Sequence, residues 1–338
     1  MRFFAAAIMS VAIAASSPAD DIDPAVRGVL TRSLGFSANE LADLAKGKIV
    51  KHSIDDAAAG EVAVAGGARV DALKSAFVDR VRDIERFKQG PEILQIGRFS
   101  TQPALSDLDR LSVDKDDFDV RECRVGDCPI RLPADVIRRF QQEIDPKAPD
   151  VQRRTEALFK QVLLEAVTAY ASGGPGRIES YDDESASIKP AQEFDGILAA
   201  ESSLDALVPG LAAHLRDHRS ARLEGAEDFL YWSKEKFGPE PFITVTHVAI
   251  VCPSTGTCVV ATRDVYSTRY VDASLAVSIA SDSQSRPGRF YLVYANRSRA
   301  SAMKGAMSGL RRSMVSRRAR SSIEESLKQI KARLETEK

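Results

Sequence analysis

The chain has 338 residues, 44% of them hydrophobic, with 47 basic and 48 acidic side chains and a formal net charge of −1. That near balance excludes a general nucleic-acid binder, which needs a basic surface to neutralise phosphates. The apolar content is that of a globular protein, and the length allows one large or two ordinary domains.

The N-terminus carries Arg2 and then Phe3 to Ala15, an uncharged and mostly apolar run. Its length matches the roughly 7–15 residues of a signal-peptide core and falls short of the roughly 20 needed to span a bilayer. Ser17 and Ala19 put small side chains where a signal peptidase reads them, and Asp20 and Asp21 follow. The expected cut is after Ala19, with Ala14 as the alternative, leaving about 319 residues and a net charge of −2. No cysteine adjoins the cut, which argues against a lipid anchor. The sequence therefore predicts a periplasmic or secreted protein.

In chain order, Ser37 to Glu40 has the S-x-x-E form of a capping box before Leu41 and Leu44, so a short helix is expected there. Lys48 to Ile54 and Glu61 to Val70 read as a β-hairpin, and Leu73, Phe77, Val81 and Ile84 recur at helical spacing after it. Glu92 to Phe99 is a further short strand. The aspartate-rich stretch from Ser106 to Asp119 is expected to be exposed.

Four cysteines fall in two local pairs, Cys123 with Cys128 and Cys252 with Cys258, each around a turn-like loop flanked by β-type residues. Both read as hairpins stapled by disulfides, as an oxidising compartment permits. A four-cysteine zinc site is the alternative, although its usual spacing fits only loosely. Neither pair is the C-x-x-C-H of a c-type haem.

Helical periodicity runs through Pro133 to Ile144, Asp150 to Ala171, Ala191 to Ala200 and Ser203 to His218. A Gly, Ser and Asp-rich loop after Gly173 is the best candidate for a mobile segment. Four strand-like runs follow, Phe242 to Val251, Cys258 to Arg269, Asp272 to Ser281 and Arg289 to Asn296, and then a long helical segment to the end.

The expected fold class is α+β: an antiparallel sheet built from both ends of the chain, a long C-terminal helix and a large helical insertion. The boundaries read as a signal peptide at 1–19, the N-terminal part of the α+β unit at 20–105, the cysteine hairpin and helical insertion at 106–228, and the meander with its long helix at 229–338. This element order resembles the START-like helix-grip fold, and the resemblance implies an apolar cavity for a lipid or other hydrophobic small molecule. Separately, RECRVGDCPIRLP, DFLYWSKEKFG, RYVDASLAVSIA and YLVYANRSRA resemble segments of a group of uncharacterised exported bacterial proteins, which implies no known activity.

Candidate ligand-binding residues follow from the cavity reading: Trp232, Tyr266, Tyr270 and Tyr291 as lining, with Met303, Met307 and Leu310 as an adaptable apolar wall on one helix face. Ordinary core packing is the competing account of that stripe, which continues to Met314. A second stripe of Val315, Ala319, Ile323, Leu327, Ile330 and Leu334 lies on the opposite side of the same helix. Arg311, Arg312, Arg317 and Arg318 cluster at the changeover and suit anionic lipid head groups, or simply form a solvated face.

No motif forces an enzymatic reading, because G-x-S-x-G, a P-loop, H-E-x-x-H and a Rossmann fingerprint are all absent. An enzyme would need a non-local site drawing on His247, Asp264 or Asp272, and Ser267 or Ser274, with strand alternation placing Asp264 and Tyr266 on one face. His214 and His218 stand one helical turn apart, but no third metal ligand is evident beside them, so an exposed helix surface is expected. His247 reads as a satisfied core histidine. No cofactor and no metal site is expected.

Overall fold

A computed structural model describes residues 21–54, 57–173, 178–201, 204–236, 238–254, 256–304 and 308–336. The signal-peptide reading falls on residues outside this range, as does Met307.

The described residues open with α1 (Pro24–Arg32), which is absent from the sequence expectations. Its start is written in Asp23-Pro24: the Asp23 carboxylate accepts from the amides of Ala25 and Val26, and proline takes the first helical position. The expected capping box starts α2 (Ala38–Ala45), with Glu40 accepting from the Ser37 amide at 2.7 Å. Then come β1 (Val50–Ser53), β2 (Glu61–Val70), α3 (Lys74–Arg82), α4 (Ile84–Phe87) and β3 (Ile93–Arg98). The helical insertion holds α5 (Ala134–Glu143), α6 (Val151–Ala171), α7 (Pro190–Ala200), α8 (Leu204–Leu207) and α9 (Leu211–Arg216). The last part comprises β4 (Glu227–Glu235), β5 (Phe242–Ser254), β6 (Thr257–Ser267), β7 (Ala273–Asp282), β8 (Phe290–Arg299) and α10 (Ser308–Thr336).

All eight strands join one antiparallel sheet in the order β1-β2-β8-β7-β6-β5-β4-β3, so both ends of the chain build the same sheet, as expected for the α+β class. β4 to β8 form a meander, and β2 pairs with β8 over its full length. One face of the sheet is covered by α1, α2 and the helical insertion. On the other face α3, α4 and the C-terminal half of α10 bury Phe77, Val81, Ile323, Leu327 and Leu334 against Val64, Val248 and Leu292. Close seating of α10 on β2 depends on Gly66, where a Cβ would stand 2.6 Å from Ile323 and 2.9 Å from the Val50 carbonyl.

Several sequence expectations change. The run from Ser203 to His218 is not one helix: it breaks at Pro209-Gly210, with Gly210 at φ +88°, because proline denies an amide and glycine reverses the chain. The aspartate-rich stretch is not simply exposed. Leu108, Leu111, Val113 and Phe118 are core residues, and Asp117 is buried in an ion pair with Lys234. Both disulfides are present, with S–S distances of 2.03 Å for Cys123–Cys128 and 2.11 Å for Cys252–Cys258, and no cysteine is free. The second staples the β5–β6 hairpin, whereas the first closes only the single bridge between Arg124 and Asp127. Of the loop after Gly173, residues 178–190 are tied down by a bridge between buried Tyr181 and Ile188. No helix among the described residues is long and apolar enough to cross a membrane.

Candidate metal centre

Three of the four histidines in the chain meet at one place, where the insertion rests on the sheet. His214 comes from α9, and His218 lies just past its end. His247 lies on β5. Asp228 lies on β4, where Leu230 is the residue directly opposite His247. Strand alternation returns Asp228 to the face of Leu230, so its carboxylate reaches the imidazole diagonally across the two strands.

The Asp228 carboxylate oxygen Oδ1 accepts from Nε2 of His214 and Nε2 of His247, both at 2.9 Å. His214 and His247 are fully buried, while the Asp228 side chain keeps 29% of its exposure and is the one of the three that reaches solvent. One ligand atom from each of the three residues lies within 4.8 Å of the other two. Behind them, Nδ1 of His247 is 3.0 Å from the Tyr170 hydroxyl on α6, and Nδ1 of His214 is 3.2 Å from both the Ala221 carbonyl oxygen and the Leu223 amide nitrogen. The His218 ring is 4.9 Å from that of His247 and 5.0 Å from that of Tyr170, centre to centre.

Arg263, directly opposite His247 on β6, fixes this arrangement from the side. Its Nη1 donates to the Leu215 and Arg216 carbonyls that end α9, and its plane lies over the Phe194 ring at 4.2 Å. The guanidinium thus holds the histidine-bearing helix end to the sheet.

The electrostatics separate the three rings. A hydrogen bond to Asp228 holds His214 above the ordinary histidine value, and burial holds His247 below it. Burial also takes His218 down to about 4, so its imidazole is neutral at pH 7 with one nitrogen lone pair available. Burial alone would raise the Asp228 carboxyl, but the hydrogen bonds from His214 and His247 outweigh it and leave Asp228 well below the carboxylate range.

Such a set suits a first-row divalent ion. Atoms bound to tetrahedral Zn²⁺ at ~2.0–2.1 Å stand about 3.3 Å apart, so an ion would replace the two 2.9 Å hydrogen bonds with slightly longer separations and bring the two imidazole nitrogens, within 4.8 Å of each other, to a similar spacing. The two imidazoles and one carboxylate leave further positions for His218, water or a substrate.

Of the residues singled out for a ligand cavity, those that the structure describes are not brought together. Trp232 and Tyr266 sit in one core and donate to the carbonyls of Asp107 and Arg131. Tyr291 sits in another and donates to Asp21, while Tyr270 packs edge-on against Phe242 at a positive φ of 67°. Met303 is buried on the opposite face of the sheet, and Leu310 and Met314 are more than half exposed, so this stripe is not a continuous wall. The cleft that Tyr266 helps to line, with Leu163, Val167 and Val245, has about 20 Å³ of room, enough for about one water.

The hydrolase constellation is not assembled either. A β-bulge pairs Val245 with Tyr266 but Thr246 with Asp264, which puts Asp264 and Tyr266 on opposite faces and corrects the alternation argument. Asp264 accepts from Thr246, Asp272 pairs with Arg131, and Ser267 donates to the Arg269 carbonyl. The carboxylate that meets His247 is Asp228, which sequence reasoning missed because β4 was not read as a strand. No family model matches the chain, and neither does any curated protein or solved structure, so the residues themselves carry the functional reading.

Proposed function

We propose that this chain is a metal-binding protein that holds a divalent first-row transition ion through His214 Nε2, His247 Nε2 and Asp228 Oδ1, with His218 at the open side. The observation that carries this reading is the double support of the histidines. Both Nε2 atoms converge on one carboxylate oxygen, and each opposite Nδ1 has polar partners: the Tyr170 hydroxyl for His247, and for His214 the Ala221 carbonyl together with the Leu223 amide, which donates to it. Such an outer shell orients a metal-ligating imidazole.

A second reading uses the same contacts without an ion, since a carboxylate that orients an imidazole also makes it a general base. Among the described residues the hydroxyl in hydrogen-bond contact with either ring is that of Tyr170, a phenol that burial pushes up to about 12, and no Ser, Thr or Cys side chain bonds to them, which favours the metal. The N-terminal sequence and the two disulfides support export, which would expose the site to metal ions outside the cytoplasm.

Calorimetric titration of the disulfide-bonded protein with Zn²⁺ tests the proposal. One ion per chain is expected, with affinity falling by about 100-fold in Asp228→Asn and in His214→Gln, and by less in His218→Ala. Unchanged Zn²⁺ binding in Asp228→Asn and His214→Gln, with circular dichroism showing intact folds, would remove the site.

A further inference from the structure

The first half of α10 carries a feature that the metal centre does not use. From Gly309 to Ser322 the sequence holds five arginines and no acidic residue, although the whole chain is charge-balanced. The C-terminal half of the same helix mixes Glu324, Glu325, Lys328, Lys331 and Arg333. Charge of one sign is therefore concentrated on one exposed stretch.

Its packing is equally uneven. Ile323, Leu327 and Leu334 are buried on the sheet, whereas Leu310, Met314 and Val315 are exposed by 56%, 54% and 43%. At about 100° per residue, Leu310, Met314 and Arg317 form one line, and Arg311, Val315 and Arg318 form the line beside it. Arg312 faces elsewhere: it donates to the Ala57 carbonyl on the sheet side. Arg311 bonds only the Ala302 carbonyl, and Arg317 has no acidic partner among the described residues. Three apolar side chains and three guanidiniums thus share one outward arc.

We infer that this arc, made of Leu310, Arg311, Met314, Val315, Arg317 and Arg318, docks on an anionic phospholipid surface. Leu310, Met314 and Val315 are neighbours on the helix surface, and clustered exposed apolar side chains mark an interaction surface where scattered ones do not. A purely electrostatic partner such as nucleic acid would leave Leu310, Met314 and Val315 in water, and an apolar protein groove would have to desolvate three arginines. A lipid head-group layer accepts both, because the apolar side chains enter the acyl boundary while the guanidiniums remain among the phosphates. The inference is independent of the metal site, which lies on the other face of the sheet.

Flotation of the full disulfide-bonded chain with phospholipid vesicles tests it. Vesicles of phosphatidylcholine containing phosphatidylglycerol should carry about tenfold more protein than phosphatidylcholine alone, with the difference lost near 1 M salt, where the Debye length is ~3 Å. Leu310→Ser with Met314→Ser, and separately Arg311→Glu with Arg317→Glu, should each reduce binding by about tenfold at unchanged circular dichroism, since Leu310, Arg311, Met314 and Arg317 are exposed. Equal binding to both vesicle types, or binding that survives both double variants, would overturn the inference. So would concentration-dependent self-association of the parent that Leu310→Ser with Met314→Ser abolishes, because the arc would then be an interface between copies.

Discussion

Asp228 and His247 stand on neighbouring strands but not opposite one another: Leu230 faces His247, and the carboxylate meets the imidazole from two residues away, at 2.9 Å. This diagonal leaves the near side of the pair free for His214, which the break at Pro209-Gly210 delivers on a short helix. The centre therefore depends on both the sheet register and the insertion.

Tyr170 is predicted to tune the centre without binding the ion. Its hydroxyl is the partner of His247 Nδ1. In Tyr170→Phe the ring stays and the hydrogen bond goes, so Zn²⁺ affinity should fall by about tenfold and stability by about 1 kcal/mol. Titration calorimetry and a urea melt read the two effects separately. An unchanged affinity would show that the hydroxyl does not orient the ring.

Asp21 should give the fold a measurable dependence on acid. Its carboxylate accepts from the Ser283 hydroxyl, the Ser285 amide and the Tyr291 hydroxyl, tying the start of the described chain to the end of the β7–β8 hairpin. Partial burial works to raise its pKa, but these hydrogen bonds prevail and lower it from 3.8 to about 2. A carboxyl lowered on folding adds stability that is present above pH 4 and is lost as pH falls towards 2. After a discount for solvent screening, Asp21→Asn should cost about 1 kcal/mol at pH 7 and little at pH 2. Urea melts across that range check it, and a cost that does not change with pH would refute the assignment.

The Cys252–Cys258 disulfide closes a short loop at the tip of β5 and β6. Chain-entropy reasoning for a loop of this size gives about 2 kcal/mol, so Cys252→Ser with Cys258→Ser should lower the midpoint of a denaturant melt accordingly. Thiol titration of unfolded, unreduced protein should find no reactive cysteine, and two or more per chain would contradict the pairing.

Gly66 is predicted to be intolerant of a side chain. A Cβ there would meet Ile323 and the Val50 carbonyl at less than 3 Å, so Gly66→Val should push α10 off β2 at a cost of about 1–3 kcal/mol. Thermal melts measure this directly. A neutral result would mean that α10 is not seated there.

Much of the fold was legible because periodicity and turn chemistry agree along the chain. Glu61 to Val70 is a strand over the expected residues, Ser37 and Glu40 form their capping box, and the C-terminal meander pairs in order. The candidate centre was less legible. His214 and His218 read as a pair one helical turn apart and His247 separately, because sequence spacing does not report a contact between a helix end and a strand. Asp228 was invisible while Glu227 to Glu235 was not seen as a strand, its alternation blurred by Phe229 to Trp232, which are buried on both faces. The bulge beside Val265 likewise leaves no mark in composition, and it alone separates Asp264 from Tyr266.

The central claim is tested most directly by diffraction from crystals soaked in Zn²⁺, with data collected on both sides of the zinc absorption edge. The metal reading predicts one anomalous peak about 2.0–2.2 Å from His214 Nε2, His247 Nε2 and Asp228 Oδ1, with the two 2.9 Å hydrogen bonds replaced by bonds to the ion. Crystals showing no peak between these atoms, with both hydrogen bonds intact, would contradict it.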